Sequence, residues 1–498
     1  MDISFESMEI PVYREYDCQS RRTQESVECV VPDTDADIGK IAAVQSEVFL
    51  KSKDLSARGV LVSGELSASV LYIRDDKEGV SFLRIRKPFS LEFELEKPES
   101  ETLSQVALFV QGTDVRLLNP RKISLAFEIE GILFSYSREM LRVESKLPDS
   151  APGLHARTEE QTVTLPGAVC EKSLAVNEQF SLPREDALPE ALIGEKASLT
   201  ITDCQMIGNK LIVKGNAAFR IIAASPEREI PYTASFSAPF SQIMDVGTER
   251  MSHCAIRPEI TGAYYDLTET INGEKVLDVE LHAVLQLVVC EPQEIRCITD
   301  AYSNLMPADL LCRTQAYREL FPAETVRLGT EEKLSLTEEC RELLHVFASV
   351  SRILGEAGKL SAAVSLDFVF KNGDNQLSAC RRGVMLTKEI GQESPRVLGV
   401  KDLQVETKTD GENVLCSVSL ELSCADARQK EISMVDGIIL DDENLYLQDA
   451  LPTLTLVRAE GETLWELAKK HHSSVERIGE MNENTENPTR MLLIPKCI

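Results

Sequence analysis

Asp33, Asp35 and Asp37 alternate along the chain and come nearest to a cation-binding loop. A calcium loop of the EF-hand kind needs glycine at its sixth position and a glutamate at its twelfth. Those positions hold Ile38 and Val44. The three carboxylates are therefore expected at a helix N-terminus, where the macrodipole favours negative charge. Gly355, Gly358 and Lys359 do not complete a phosphate-binding loop. Two residues separate the glycines where four are needed, and Leu360 follows the lysine where Ser or Thr would hold magnesium. That segment is expected to be a hairpin turn. His155, His253, His282 and His345 stand alone, and His471-His472 close a helical segment, where positive charge would suit the dipole. No HExxH, GxSxG or GxGxxG spacing occurs. The thirteen cysteines are odd in number, irregularly spaced and without a CxxC pair. They argue against a zinc ribbon or a thioredoxin-type site and for free thiols in a reducing compartment. The expectation is a protein with no catalytic residue, no cofactor and no metal, and so not an enzyme.

The balance of charge narrows the partners. Among 498 residues, 53 are Lys or Arg and 81 are Asp or Glu, a formal net charge of -28. A nucleic-acid binder tracks phosphates with clustered cations, and an anionic membrane attracts the same residues. Both partners are disfavoured. The N-terminus, MDISFESMEIPVYREYD, lacks a basic region followed by an apolar one, so no secretory signal is expected. The longest apolar stretch, Val276–Cys290, is interrupted by Asp278, Glu280 and His282, so no transmembrane segment is expected either. A cytoplasmic protein follows from these features.

The residues that could position a site lie in a repeating pattern. Val60, Val62, Gly64 and Leu66 alternate as a half-buried strand does, and Leu211, Val213, Gly215 and Ala217 repeat the pattern 151 residues later. Leu360, Ala362, Val364 and Leu366 repeat it again after 149 more. Pro88-Phe89-Ser90 recurs as Pro239-Phe240-Ser241. A turn and a further alternating run follow in each unit, at Asn119-Pro120, Asn272-Gly273 and Asp410-Gly411. Glu139-Met140, Glu294-Ile295 and Glu431-Ile432 then mark a closing strand. The fold class expected is mainly β. Three tandem β-sandwich-like (or open-barrel) domains would span 1–150, 151–305 and 306–447, with many short strands and turns every 8–12 residues. The long pitch predicts beads with separate cores in an elongated scaffold. A short helix is expected at Asp37–Ile41 and another at Glu338–Val346.

The remaining segment, 448–498, is a different object. Residues 451–498 hold six basic and seven acidic residues, so nearly all the net charge lies in the three β-rich units. Leu454–Val457 reads as a strand, Thr463 as the N-cap of a helix Leu464–His471, and Met491–Pro495 as a second strand. Ser473 to Glu476 has the capping-box spacing for a second helix, Ser474–Met481, closed by Asn482. The order is βααβ. Trp465, the only tryptophan, is expected either to pack this small core or to anchor an interface.

The run GETLWELAKK, then SSVERIGEMN, then LLIP resembles the LysM module. Two departures fall in the loops with which that family binds N-acetylglucosamine polymers. Thr489-Arg490 stand where a glycine usually precedes the last strand, and Glu462 stands where Asp is more common. Val31-Pro32-Asp33 with Asp37-Ile38, then Gly64, Leu71-Tyr72 and Pro88-Phe89, resemble the SPOCS domain of the SipL family. Repeats of that domain followed by one LysM module imply a scaffold of the spore coat and cortex. It would work in the mother-cell cytosol at the forespore surface, its LysM module docking a morphogenetic coat ATPase (SpoIVA-like) rather than cell wall. The alternative implied is binding to peptidoglycan or another N-acetylglucosamine polymer. By the same resemblance the binding loops would be Gly461, Glu462, Thr463, Leu464, Trp465, Ile478, Asn482 and Asn484.

Overall fold

The computed structural model describes residues 2–77, 79–95, 102–148, 153–182, 189–225, 230–270, 274–356, 358–391, 396–410, 413–446, 453–459, 461–482 and 491–496. The fold is mainly β. After a short strand β1 (Asp2–Ser4) come β2 (Glu6–Val30), β3 (Ile38–Ser56), β4 (Gly59–Arg74), β5 (Val80–Glu94), β6 (Leu103–Asn119) and β7 (Lys122–Lys146). A second set follows: β8 (Leu154–Ser181), β9 (Ala191–Ile207), β10 (Lys210–Ala224), β11 (Tyr232–Asp245), β12 (His253–Glu269) and β13 (Lys275–Ser303). The third is β14 (Ala308–Ser335), β15 (Cys340–Glu356), β16 (Lys359–Asn372), β17 (Leu377–Glu389), β18 (Arg396–Asp410) and β19 (Asn413–Leu440). The tail holds β20 (Leu454–Arg458), α1 (Leu464–Lys470), α2 (Val475–Met481) and β21 (Met491–Pro495). Among the described residues no helix is long and apolar enough to cross a membrane.

Each set of six strands pairs in the same way. The middle three form an antiparallel meander, β3-β4-β5, β9-β10-β11 and β15-β16-β17. The outer three form a second sheet in which the last strand is central, β2-β7-β6, β8-β13-β12 and β14-β19-β18. The aligned alternating runs are the central meander strands β4, β10 and β16, and their apolar residues are buried. The Pro-Phe-Ser motif sits beside them. Phe89 is the cross-strand partner of Gly64, and Phe240 of Gly215. A Cβ on Gly64 would lie 2.4 Å from the Phe89 ring, and one on Gly215 2.5 Å from Phe240. Two motifs more than twenty residues apart are thus one contact, a ring lying over a bare backbone. In the third set the pair is Val364 opposite Val384, both buried.

The strands are long, from 13 to 29 residues across the three sets, where short ones were expected. The expected closing strands are the far halves of β7, β13 and β19. Among the described residues, β7 beyond Tyr136 keeps only β2 as a partner; beyond Cys290, β13 keeps only β8; and beyond Ala425, β19 keeps β14, with β1 adding at its tip. Each set thereby extends a two-stranded ribbon.

Both helices expected in this region are strands. Ile38 opens β3 and Cys340 opens β15. The register of β3 slips at Ile38/Lys40, Ile41/Ala43 and Leu50/Ser52, and that of β15 at Cys340/Glu342, Leu343/His345 and Val350/Arg352. A bulge inserts one residue and shifts the inward face by one. Two bulges three residues apart turn the period of two into an apparent i, i+3 spacing, which mimics a helix. The acidic loop before β3 therefore faces no helix dipole. Arg121, in the turn between β6 and β7, bonds Asp37 at 2.6 Å and the Pro32 carbonyl at 2.8 Å, and pairs with Asp33 at 3.4 Å.

The sets are not beads with separate cores. The first and second each hold one private apolar cluster. The third shares its core with Phe109, Phe134 and Tyr136 of the first and Val169, Val288 and Cys290 of the second. The three ribbons meet around Leu141, Val143, Ile295, Cys297, Ile432 and Met434. Buried hydrogen bonds reinforce the contact. The Gln286 side chain accepts from Val106 N and donates to Val106 O, both at 2.7 Å, and Gln105 donates to Leu287 O at 2.9 Å. Arg257 donates to Gln105 at 2.6 Å while its guanidinium lies 4.0 Å from the centre of the Phe134 ring. Each group taken from water here has a partner, which is the condition for burying it without a large penalty.

Candidate interaction surface

The tail folds because its short helices are capped. Thr463 accepts from Glu466 N at 3.2 Å, and the Glu466 carboxylate accepts from Thr463 N at 2.7 Å. This reciprocal box belongs to α1, whereas the sequence placed it on α2. At α2 the N-cap is Ser474, which accepts from Arg477 N at 3.3 Å. Ser473 is buried, and its hydroxyl donates to Pro495 O at 2.5 Å, tying the helices to β21. β20 and β21 pair with Leu456 opposite Leu493 and Thr455 opposite Ile494.

The tail core contains Ala459, Leu467, Ala468, Ile478, Leu492 and Ile494, and it includes Tyr302 from the end of β13. Tyr302 donates its hydroxyl to Ser473 O at 2.9 Å, stacks on His155 at 5.0 Å and meets Trp465 edge-on at 5.0 Å. The Trp465 indole N–H donates to Asp300 Oδ2 at 2.8 Å, and Lys469 bonds Asp300 Oδ1 at 2.6 Å. His472, with φ of 53°, packs its ring at a tilt against Tyr446, the centroids 3.8 Å apart. The tail is thus seated on the second ribbon by an aromatic cluster and one carboxylate with two donors.

Electrostatics sharpen this seat. Burial alone would raise the Asp300 pKa, but the Lys469 ammonium and the Trp465 N–H outweigh it, and the net shift is downward. Burial lowers the pKa of His155, His471 and His472, with Lys470 adding to the effect at His471. The expected positive histidines at the end of α1 are therefore held toward their neutral form. Among the described residues, His155 Nε2, His471 Nε2 and His472 Nδ1 are buried and find no hydrogen-bond partner.

The residues expected as binding loops have diverse positions. Gly461 is exposed at a φ of 93°, a turn conformation that favours glycine. Glu462 pairs with Lys470 at 2.9 Å. Thr463 is the cap. Leu464 is partly buried against the tail core. Trp465 faces the body. Ile478 is fully buried and offers no apolar contact to a partner. The Asn482 side chain donates to Ile478 O at 2.8 Å and to Leu493 O at 2.6 Å, and accepts from Leu493 N at 2.9 Å. It joins α2 to β21. Asn484 lies outside the described residues.

Sequence reasoning missed Asp300, Tyr302, His155 and Tyr446. No local signal marks them, because their role depends on a docking partner over a hundred residues away for all but Tyr446. It also missed the outer face of the tail sheet. Leu454, Leu456, Met491 and Leu493 share that face and are 45%, 60%, 50% and 36% exposed. Alternation along two paired five-residue strands is the signal that could have found it. Among the described residues no group of three His, Cys, Asp or Glu side chains is arranged to hold a metal ion.

Residues 37–118 match the family model described as SipL, SPOCS domain. The span starts just before β3 and ends within β6, so it covers the first meander and most of the strand after it. The match supports a sporulation-related role. No curated protein and no solved structure matches the chain.

Proposed function

We propose that the protein is a non-enzymatic adaptor in spore-envelope assembly. Three SPOCS-type domains form its body, and a LysM-type tail docks a morphogenetic coat ATPase at the forespore surface, on the mother-cell side. The match of residues 37–118 carries the sporulation reading. The same six-strand order occurring twice more supports reading the rest of the body as further domains of that type. The βααβ order of the tail supports the LysM reading.

The face of the tail that meets the partner differs from the one the resemblance implies. Trp465 is engaged by Asp300 and Tyr302, and Asn482 by β21. What stays open is the outer face of β20–β21, with Leu456 opposite Leu493. Exposed apolar side chains grouped on one small face suit a protein partner.

The test is capture of the purified coat ATPase by the full chain and by a chain lacking 448–498. Retention by the full chain alone is expected. Equal retention by both, or tight retention of the full chain on peptidoglycan fragments without ATPase capture, would overturn the reading.

A further inference from the structure

A cavity of about 610 Å³ opens where the three strand sets meet. Its wall draws on β3 and β6 of the first set, β9 and β12 of the second, and β15 and β18 of the third. The volume lies within the range of small-molecule sites. Much of the wall is apolar, including Phe49, Phe109, Ile256, Leu398 and Val400.

The polar part of the wall is organised around one lysine. Lys196, on β9, is half-buried and lies on the cavity wall; burial lowers its pKa, and the nearby Glu47 and Asp402 carboxylates oppose that shift while Arg220 adds to it. Among the described residues its ammonium has no hydrogen bond and no ion pair within 4.0 Å. Every other charged group on the wall near it is engaged or silenced. Arg257 is bonded to Gln105 and Tyr136. Glu195 is paired with Arg84. Glu259 is pushed far above the carboxylate range by burial. Glu47 accepts from Ala197 N at 2.9 Å, and burial raises its pKa to about 7 despite that bond and the nearby Lys196. An ammonium without a hydrogen-bonded partner on a largely apolar wall is open to an anion delivered by a ligand, and a protonated Glu47 would supply that anion with an O–H donor.

We propose that this cavity is a binding site for a small amphipathic anion, a molecule with one carboxylate or phosphate head held by Lys196 and an aliphatic or aromatic body against Phe49, Phe109 and Leu398. The site is independent of the tail and of any partner the tail docks. Three strand sets must come together to build it, so an occupant would bind the assembled body and stabilise it by mass action.

The experiment is calorimetric titration of the full-length chain with decanoate, decyl phosphate and decan-1-ol. Decanoate or decyl phosphate should bind at least tenfold more tightly than the alcohol. Lys196→Met should remove that tenfold preference and leave alcohol binding in place. Leu398→Trp, which fills the cavity, should abolish binding of all three. Absence of binding, equal affinity for acid and alcohol in the unaltered protein, or an undiminished preference in a folded Lys196→Met chain would each overturn the proposal. The comparison of acid with alcohol in the unaltered protein decides the matter even if a variant fails to fold.

Discussion

The Trp465 indole N–H donates to Asp300 at 2.8 Å, across an interval of 165 residues. That bond joins the tail to the second ribbon, and Lys469 completes it on the other carboxylate oxygen. The single tryptophan of the chain therefore reports on docking. Trp465→Phe keeps the edge-on contact with Tyr302 and loses the hydrogen bond. Docking should weaken by on the order of 1.5–3 kcal/mol, the range for a bond to a charged group. Hydrogen exchange over 453–482 should rise, and Asp300→Asn should produce a similar change.

Docking should also weaken on acidification, in two stages. His155, His471 and His472 have folded-state pKa values below the ordinary 6.5. A depressed pKa contributes stability that is complete above the unfolded value and is lost as pH falls through the folded one. The first loss should begin below pH 6.5. Asp300 is lowered from 3.8, so its contribution should persist to more acid pH and go as the carboxylate protonates. Trp465 emission followed from pH 8 to pH 3 measures both stages. Emission that stays constant down to pH 4 would contradict the first.

Gly64→Ala puts a methyl group 2.4 Å from the Phe89 ring. Overpacking of this kind costs about 1–3 kcal/mol, and Phe89→Ala costs about 3–5 kcal/mol by emptying the site. The two changes share one space, so the double variant should lose less than the sum of the singles. Denaturant midpoints of the three chains test the coupling.

Gln286→Leu leaves both main-chain groups of Val106 without their partner. Each buried group left unpaired costs about 1–3 kcal/mol. Because the bond joins the first and second sets, the whole body should lose stability in one transition. Separate transitions for the two sets would indicate independent domains.

The pattern of alternating residues was readable in the sequence, because an apolar residue at every second position reads directly as a strand with one buried face. The βααβ order of the tail was readable for a related reason. Thr463 and Asn482 are terminal residue types at helix-length spacing, and the second N-cap lies at Ser474, one residue after the expected Ser473. The bulged starts of β3 and β15 were not, since the inserted residues produce helical spacing at Ile38 and Ile41 and again at Cys340 and Leu343. The shared core was hidden for another reason. Phe134 and Val288 look like ordinary inward-facing residues of their own sheets, and nothing local says that the core they face belongs to a third set. Asp300 likewise reads as one more surface acid until Trp465 and Lys469 are brought against it.

The measurement that bears most directly on the adaptor reading is titration of the coat ATPase into the full chain and into Leu456→Ser/Leu493→Ser, with Trp465 emission recorded alongside. These leucines face each other on the open side of the tail sheet, away from Asp300. The account predicts at least tenfold weaker binding by the double variant, with emission unchanged because the tail remains seated on the ribbon. Undiminished affinity with unchanged emission would contradict it.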